Sequence, residues 1–353
     1  MKRFELLDGL RALAITFVVI THYANRLLPG GSIGVSIFFV LSGFLIATIL
    51  MKRDVSVTAF FVRRFFKIYP AFITILIVQY LLSYYIGLKY FPAFKESLTD
   101  LALFIRMPEQ PINMGVGIFW TIQIEVTFYI LVPLVLRSRF VIKNGVHLVQ
   151  NSIKIIWLLI LISYVVKAYC LYRNLVLTNS IFALSFWMDG LLYGVLVACL
   201  LSQSDHNEAA ATAVFNKTPR TSNPLSARYY LLGAASVLCL LAVFVPSEGS
   251  TWPIESSIAS AITAGLIFVL RGGNHLGFSV PRPVIYVATV SYSAYLCHAF
   301  PLDYLYQIPT GHSHTKALAA IFAVVGSTLT LHYLIERPGM AFGKTIEKRV
   351  PSH

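Results

Sequence analysis

Apolar stretches long enough to cross a bilayer recur from one end of this chain to the other, and hydrocarbon offers the peptide backbone no hydrogen-bonding partner. Ten spans are predicted: 9–27, 33–51, 68–88, 118–137, 153–172, 181–201, 229–246, 253–271, 284–305 and 315–336. None shows the two-residue alternation of a lipid-facing barrel strand. Each must therefore satisfy its own N–H and C=O groups as a helix. The expected fold is all-α, a polytopic integral membrane protein built as a bundle of about ten transmembrane helices. With 57% hydrophobic and only 12% charged residues, the 353 residues read as a single membrane domain.

Lys and Arg set the orientation. With the N-terminus inside, the cytoplasmic segments and the span ends beside them collect 20 of the 28 Lys and Arg residues; the outer loops collect 7, and Arg11 is the last. That bias predicts a multi-pass protein of the cell (inner) membrane with both termini in the cytoplasm. The net charge of +13 is thus mostly a topology signal. Divided among short loops, it suits anionic lipid or phosphate and does not suit nucleic acid. Lys2 and Arg3 ahead of an apolar run resemble a signal peptide, but Arg11 interrupts the run and no small-x-small site follows, so the first helix is expected to stay uncleaved.

Two connections stand out. The stretch at 202–228 is rich in Ala, Ser, Thr, Asn and Pro without apolar periodicity, and reads as a mobile cytoplasmic loop. The outer segment between the third and fourth spans carries Leu98, Leu101, Ala102 and Ile105 at helical spacing, which predicts a short interfacial helix. Cys170, Cys199, Cys239 and Cys297 fall within spans at irregular spacing, as small buried hydrophobes do, and no metal site is expected. Gly190 and Gly194, four apart in the sixth span, read as a close helix-packing face.

The first span holds Arg11 and His22. Eleven residues at about 100° each return to within about 20° of the starting direction, so both side chains leave one face of the helix, about 16 Å apart. A charge at membrane depth costs at least about 2.5–3.5 kcal/mol, so that face must avoid lipid and is a functional-site candidate. Asp8, three residues before Arg11, is placed to pair with it.

Other stretches carry chemistry too. Arg63, Arg64 and Lys67 lie within about one helical turn, just before Pro70. They can grip a polyphosphate, or simply anchor the positive-inside end of a span. In the fourth span, WTIQIEVTFY places Trp120, Thr121 and Glu125 among apolar neighbours. A carboxylate there either joins a structural ion pair or orients a functional His or Arg. Ser291, Tyr295 and His298 follow i, i+4, i+7 spacing and form one polar stripe, either a satisfied structural network or the wall of a hydrophilic cavity.

Taken together, six ordered elements resemble the membrane acyltransferase family 3, a group that includes many sugar O-acetyltransferases of bacterial envelopes. They are LDGLRALA with the Arg11-x10-His22 arrangement, GVSIFFVLSGFLI at 34–46, RRFFKIYP at 63–70, WTIQIEVTFY at 120–129, SYSAYLCHAF at 291–300 and Glu336-Arg337-Pro338. The resemblance implies transfer of an acyl group, usually acetyl, from a cytoplasmic acyl-CoA to a hydroxyl of an envelope glycan or glycolipid. Acyl-CoA enters as donor substrate, with no permanently bound cofactor. The resemblance places His22 at the reaction centre with Arg11 beside it.

A thioester is already activated, so the enzyme must supply a base for the attacking hydroxyl and a cation or dipole for the oxyanion. His22 is the candidate base or a transient acyl carrier, Arg11 holds a CoA phosphate or the oxyanion, and Glu125 balances or orients them. Arg63, Arg64 and Lys67 would grip the CoA phosphates. Asp8, Trp120, Ser291, Tyr295 and His298 are candidate supporting or substrate-contacting residues. Lys67 stands where the family often has Arg, and these 353 residues read without the appended extracytoplasmic hydrolase-like domain of some members. A separate extracytoplasmic partner protein is therefore expected as one route to completing the transfer. The same buried charges would also serve a transporter or flippase of a lipid-linked glycan, or a non-catalytic subunit of a glycan-assembly complex.

Overall fold

In a computed structural model of the chain, the residues described are 5–23, 29–31, 33–52, 55–86, 119–136, 142–143, 146–147, 149–173, 187–203, 237–238, 252–270, 280–301 and 313–350. Their regular structure is helical apart from one two-residue antiparallel pairing that matches Ile142 with His147 and Lys143 with Val146. The helices are α1 (Glu5–Tyr23), α2 (Ile33–Leu50), α3 (Val57–Ile86), α4 (Trp120–Leu136) and α5 (Val149–Tyr172). After them come α6 (Trp187–Gln203), α7 (Trp252–Leu270), α8 (Arg282–Cys297) and α9 (Ser313–Leu331). A five-residue π-helical turn, His332–Glu336, leads into α10 (Arg337–Glu347). The all-α expectation holds, and α2, α3, α5 and the α9–α10 run are long and apolar enough to cross a membrane. The expected interfacial helix, most of the seventh span and nearly all of the 202–228 loop lie outside the described residues.

Two compact units divide the chain. The first comprises residues 1–53, 127–176 and 184–288, and its centre is α2. The sequence of α2 is apolar on every side, and a helix without a polar face is one that its neighbours surround; Ile33, Ile37, Val40, Leu41, Ile46, Ala47 and Leu50 are all fully or almost fully buried. The neighbours come close because small residues let them. A Cβ on Gly43 would land on the Leu191 carbonyl of α6, and one on Gly194 would land on the Val40 carbonyl of α2. Gly190 faces Phe39 and Ser260. The Gly190/Gly194 face is thus a helix-packing surface. At its other end α2 brings Gly34 against the Ala14 carbonyl of α1.

The second unit comprises residues 54–126, 177–183 and 289–353. Pro70 lies inside α3 and lacks the N–H that would bond Phe66 four residues back. Against that freed carbonyl sits Gly339 of α10, where a Cβ would approach the Phe66 oxygen to 3.0 Å. One turn on, Gly343 faces the Phe66 ring, and Phe342 meets that ring edge-on at 5.2 Å between centroids. The small residues of RPGMAFG thereby seat α10 on the proline-marked stretch of α3. Tyr292 of α8 donates to the Ile68 carbonyl at 2.9 Å, tying a third helix to the same stretch.

Large apolar side chains point outward along several helices. Examples are Ile77 and Leu81 on α3, Leu158, Leu161 and Val165 on α5, and Phe322 and Val325 on α9. Exposed apolar patches of this extent mark a surface meant to be covered, and on helices of bilayer-spanning length the cover is lipid.

Gly43→Ala should lower the melting temperature of the detergent-solubilised protein by several degrees, because its methyl group meets backbone and cannot be accommodated by a rotamer change. Gly265→Ala is the control. Nothing lies within 4 Å of a Cβ at Gly265, so that variant should melt at or above the wild-type temperature.

Candidate active site

In the first unit, α1 is one unbroken α-helix through both Arg11 and His22, so the one-face relation follows from its geometry. Arg11 contacts Asp8 at 3.4 Å, with side chains 25% and 9% exposed. The buried carboxylate thus holds the guanidinium from one turn below. His22 is partly exposed, and its Nδ1 lies 2.8 Å from the Val18 carbonyl. A carbonyl oxygen can only accept, so Nδ1 carries a proton, and Nε2 is the ring nitrogen at which proton exchange can occur. Glu5 fixes the start of the helix by accepting the Val280 N–H at 2.9 Å.

The second unit holds the other predicted residues. Thr121 of α4 donates to the Tyr295 hydroxyl at 2.9 Å, and both side chains are buried. The Tyr295 backbone carbonyl accepts from His298 Nδ1 at 2.6 Å, and the two rings lie 5.4 Å apart. Ser291 is buried on the same helix. Glu125 is partly exposed and close enough for its charge to act on the Tyr295 hydroxyl. Trp120 stands at the first position of α4. The stripe of the ninth span is therefore built into the protein interior, with Tyr295 joining it to the fourth.

Arg63, Arg64 and Lys67 occupy the first turns of α3, which begins at Val57 rather than near position 68. Thirty residues span about 45 Å against a hydrocarbon core of about 30 Å, so the basic turns stand clear of the membrane centre. Arg63 pairs with Glu347 of α10 at 2.6 Å, its side chain 42% exposed, and the Arg64 guanidinium lies 5.5 Å from the centre of the Phe60 ring. An ion pair this exposed is worth about 0–1 kcal/mol, which a phosphate group can readily replace.

Two buried polar clusters escaped the sequence reading. In the first unit, Lys167 of α5, Asp189 of α6 and Ser257 of α7 form a triangle: Lys167 donates to Asp189 and to Ser257, and Ser257 donates to Asp189, each at 2.7 Å. Lys167 falls inside the predicted fifth span, and the intramembrane-charge rule applied to Arg11 would have singled it out; the structure buries it within α5. In the second unit, Glu336 accepts from Ser293 at 2.6 Å and from His332 at 2.8 Å, all three buried. Glu336 was read only as part of the closing Glu-Arg-Pro element, and its partner His332 is buried at the start of the π turn.

The described residues make a helical, membrane-embedded protein that carries an imidazole and a carboxylate-held guanidinium on one helix. The comparisons with known proteins agree on what such a chain is. It belongs to the family described as an acyltransferase domain, acyltransferase 3, which matches residues 4–337. Among its relatives is a protein of Staphylococcus aureus (strain COL) provisionally named an O-acetyltransferase, 23% identical over 329 residues that cover 87% of this chain and 52% of the relative. Another is O-acetyltransferase OatA of Staphylococcus aureus (strain NCTC 8325 / PS 47), 24% identical over 318 residues, covering 83% of this chain and 49% of the relative. The chain thus spans about half the length of the curated relatives it matches. No solved structure matches it. Family and helices together make it a multi-pass membrane protein of the acyltransferase 3 family.

The Thr121–Tyr295 bond is testable by a double-mutant cycle of Thr121→Val and Tyr295→Phe on thermal stability. Helix–helix hydrogen bonds in membrane proteins couple by about 0.6 kcal/mol, reaching ~1.7. A coupling in that range is expected, and strictly additive losses would show that the two hydroxyls do not act together.

Proposed function

We propose that this protein transfers an acyl group, acetyl in the simplest case, from a cytoplasmic acyl-CoA to a hydroxyl of an envelope glycan or glycolipid, with His22 as general base. The observation that carries the reading is the state of His22: its Nδ1–H is spent on the Val18 carbonyl, leaving Nε2 as the basic atom, in a chain of the acyltransferase 3 family. In the reaction, Nε2 takes the acceptor hydroxyl proton as its oxygen attacks the thioester carbonyl. The C–S bond then breaks, and the imidazolium returns the proton to the departing thiolate. Arg11, steadied by Asp8, supplies positive charge for the oxyanion or for a CoA phosphate.

Arg63, Arg64 and Lys67 at the start of α3 offer the charge and reach to hold the CoA phosphates. Both termini and this basic end belong on the cytoplasmic side of the inner membrane in this reading, supported by the Lys and Arg bias. A separate extracytoplasmic protein is its candidate partner in delivering the acyl group to the glycan.

Acceptor-dependent release of free CoA from acetyl-CoA by the purified protein tests the reaction. His22→Ala should cut it by about 10²–10⁴-fold, the usual worth of a general base, without loss of folded protein. Wild-type protein that moves a glycolipid across vesicles while releasing no CoA would instead be a transporter or flippase. Arg63→Ala and Arg64→Ala should raise KM for acyl-CoA with kcat nearly kept, since a remote phosphate is bound equally in ground and transition states. If KM is unchanged and the topology is disturbed, these residues are anchors only.

A further inference from the structure

We propose that Glu347, at the end of α10, is a tethered competitor for the donor: its carboxylate holds the Arg63 guanidinium where a phosphate of acyl-CoA would sit, and so sets the affinity for that donor. The proposal deepens the donor site proposed above and rests on that reading for the identity of the anion; the Arg63–Glu347 pairing itself does not.

Both helices of the contact, α3 and α10, belong to the second unit. Arg63 Nη2 lies 2.6 Å from Glu347 Oε1, with side chains 42% and 23% exposed. A dissolved anion can therefore reach the guanidinium. Nη2 is common to both two-pronged faces that a guanidinium offers an oxyanion. A carboxylate on it occupies one face, and its charge repels a phosphate from the other. A guanidinium has more N–H donors than one carboxylate engages, so Arg63 can take a phosphate in full once Glu347 swings away.

Stability does not account for the pair. Gly339, Gly343 and Phe342 already seat α10 against Phe66 of α3. Glu347 is the last residue of α10, where the negative end of the helix dipole disfavours a carboxylate. Lys344 stands three residues back on the same helix, yet Glu347 reaches across to α3. An exposed ion pair typically shifts an equilibrium by no more than about fivefold. Such a pair is weak enough to open and strong enough to be felt, as a competitor must be. A CoA phosphate carries more charge than a carboxylate can bring to the same donors, so it takes Arg63 over. Glu347 then faces the helix dipole without its cation, and the last turn of α10 loosens.

The test titrates CoA itself into full-length protein in phosphatidylcholine nanodiscs. Glu347→Gln should bind CoA about two- to fivefold more tightly than wild type, and Glu347→Ala should do the same. Arg63→Ala should cancel the gain, so that the double variant Arg63→Ala/Glu347→Gln binds CoA no better than Arg63→Ala alone. Unchanged or weaker binding in both Glu347 variants would make the pair a brace for α10 and overturn the proposal. A gain that survives Arg63→Ala would be a general charge effect and overturn it too. Hydrogen exchange on the wild-type protein gives a second readout. CoA should speed exchange in residues 345–350, where the Arg349 and Val350 amides bond back to Ile346 and Glu347, and leave residues 337–343 unchanged. The same speeding by phosphatidylglycerol in the disc, with no response to CoA, would assign Arg63 to lipid headgroups and overturn the proposal. A KM for acyl-CoA that rises in Arg63→Ala but is untouched in either Glu347 variant would leave the donor site standing without a competitor. Tighter CoA binding by the Glu347 variants of a protein that releases no CoA from acetyl-CoA with any acceptor would overturn the acyl-transfer reading and leave the role of Glu347 standing.

Discussion

Among the described residues, the register of the helices depends on how three of the ions they carry into the membrane are paired. A lone charge at the bilayer centre costs at least about 2.5–3.5 kcal/mol, which gives each of these pairings its value. Arg11 is answered from its own helix by Asp8. Lys167 is answered from a different helix, and because Ser257 closes the triangle, three helices of the first unit are pinned at one level. Glu336 is answered by His332 on its own helix and by Ser293 on α8. The local solution leaves a group steady yet reachable, as Arg11 is. Solutions that recruit several helices are sealed, and they fix the relative register of the helices they join.

Register also needs close approach, which small residues supply. The polar pairs between helices close to within 3 Å, and helices separated by large side chains at every turn could not bring them together. Gly43, Gly190 and Gly194 remove those side chains where α2 meets α6 and α7, and Asp189 precedes Gly190 directly. In the second unit Gly339 and Gly343 do the same for α10 against α3. There the missing N–H of Pro70 leaves a carbonyl whose surroundings only a residue without a side chain can approach. Van der Waals contact does the work that hydrophobic burial would do in water, since lipid tails are as apolar as the helices themselves.

Helix class and the approximate spans were legible because hydrocarbon admits few alternatives. The Arg11–His22 relation was legible because a continuous helix fixes phase by arithmetic, and α1 is continuous. Pairings between helices were not. Nothing local to Tyr295 specifies Thr121, 174 positions away, and nothing near Arg63 specifies Glu347. Lys167 shows a different limit: it falls near the end of a span, where counting charges for topology and asking what a buried charge does compete for the same residue. The His332–Glu336 contact has the i, i+4 spacing that any helix brings together, and it went unread because Glu336 was taken only with the Glu-Arg-Pro element.

The proton geometry of His22 bears on how the predicted residues divide their labour. In sites where a carboxylate orients a catalytic imidazole, it does so through the nitrogen that is not reacting. Here that nitrogen is engaged by the Val18 carbonyl one turn below, so the helix itself holds the ring by a proton at Nδ1. Arg11 likewise has Asp8. Glu125 belongs to the second unit. What Glu125 does sense is the Tyr295 hydroxyl, itself tied to Thr121, which gives the carboxylate a polar setting of its own.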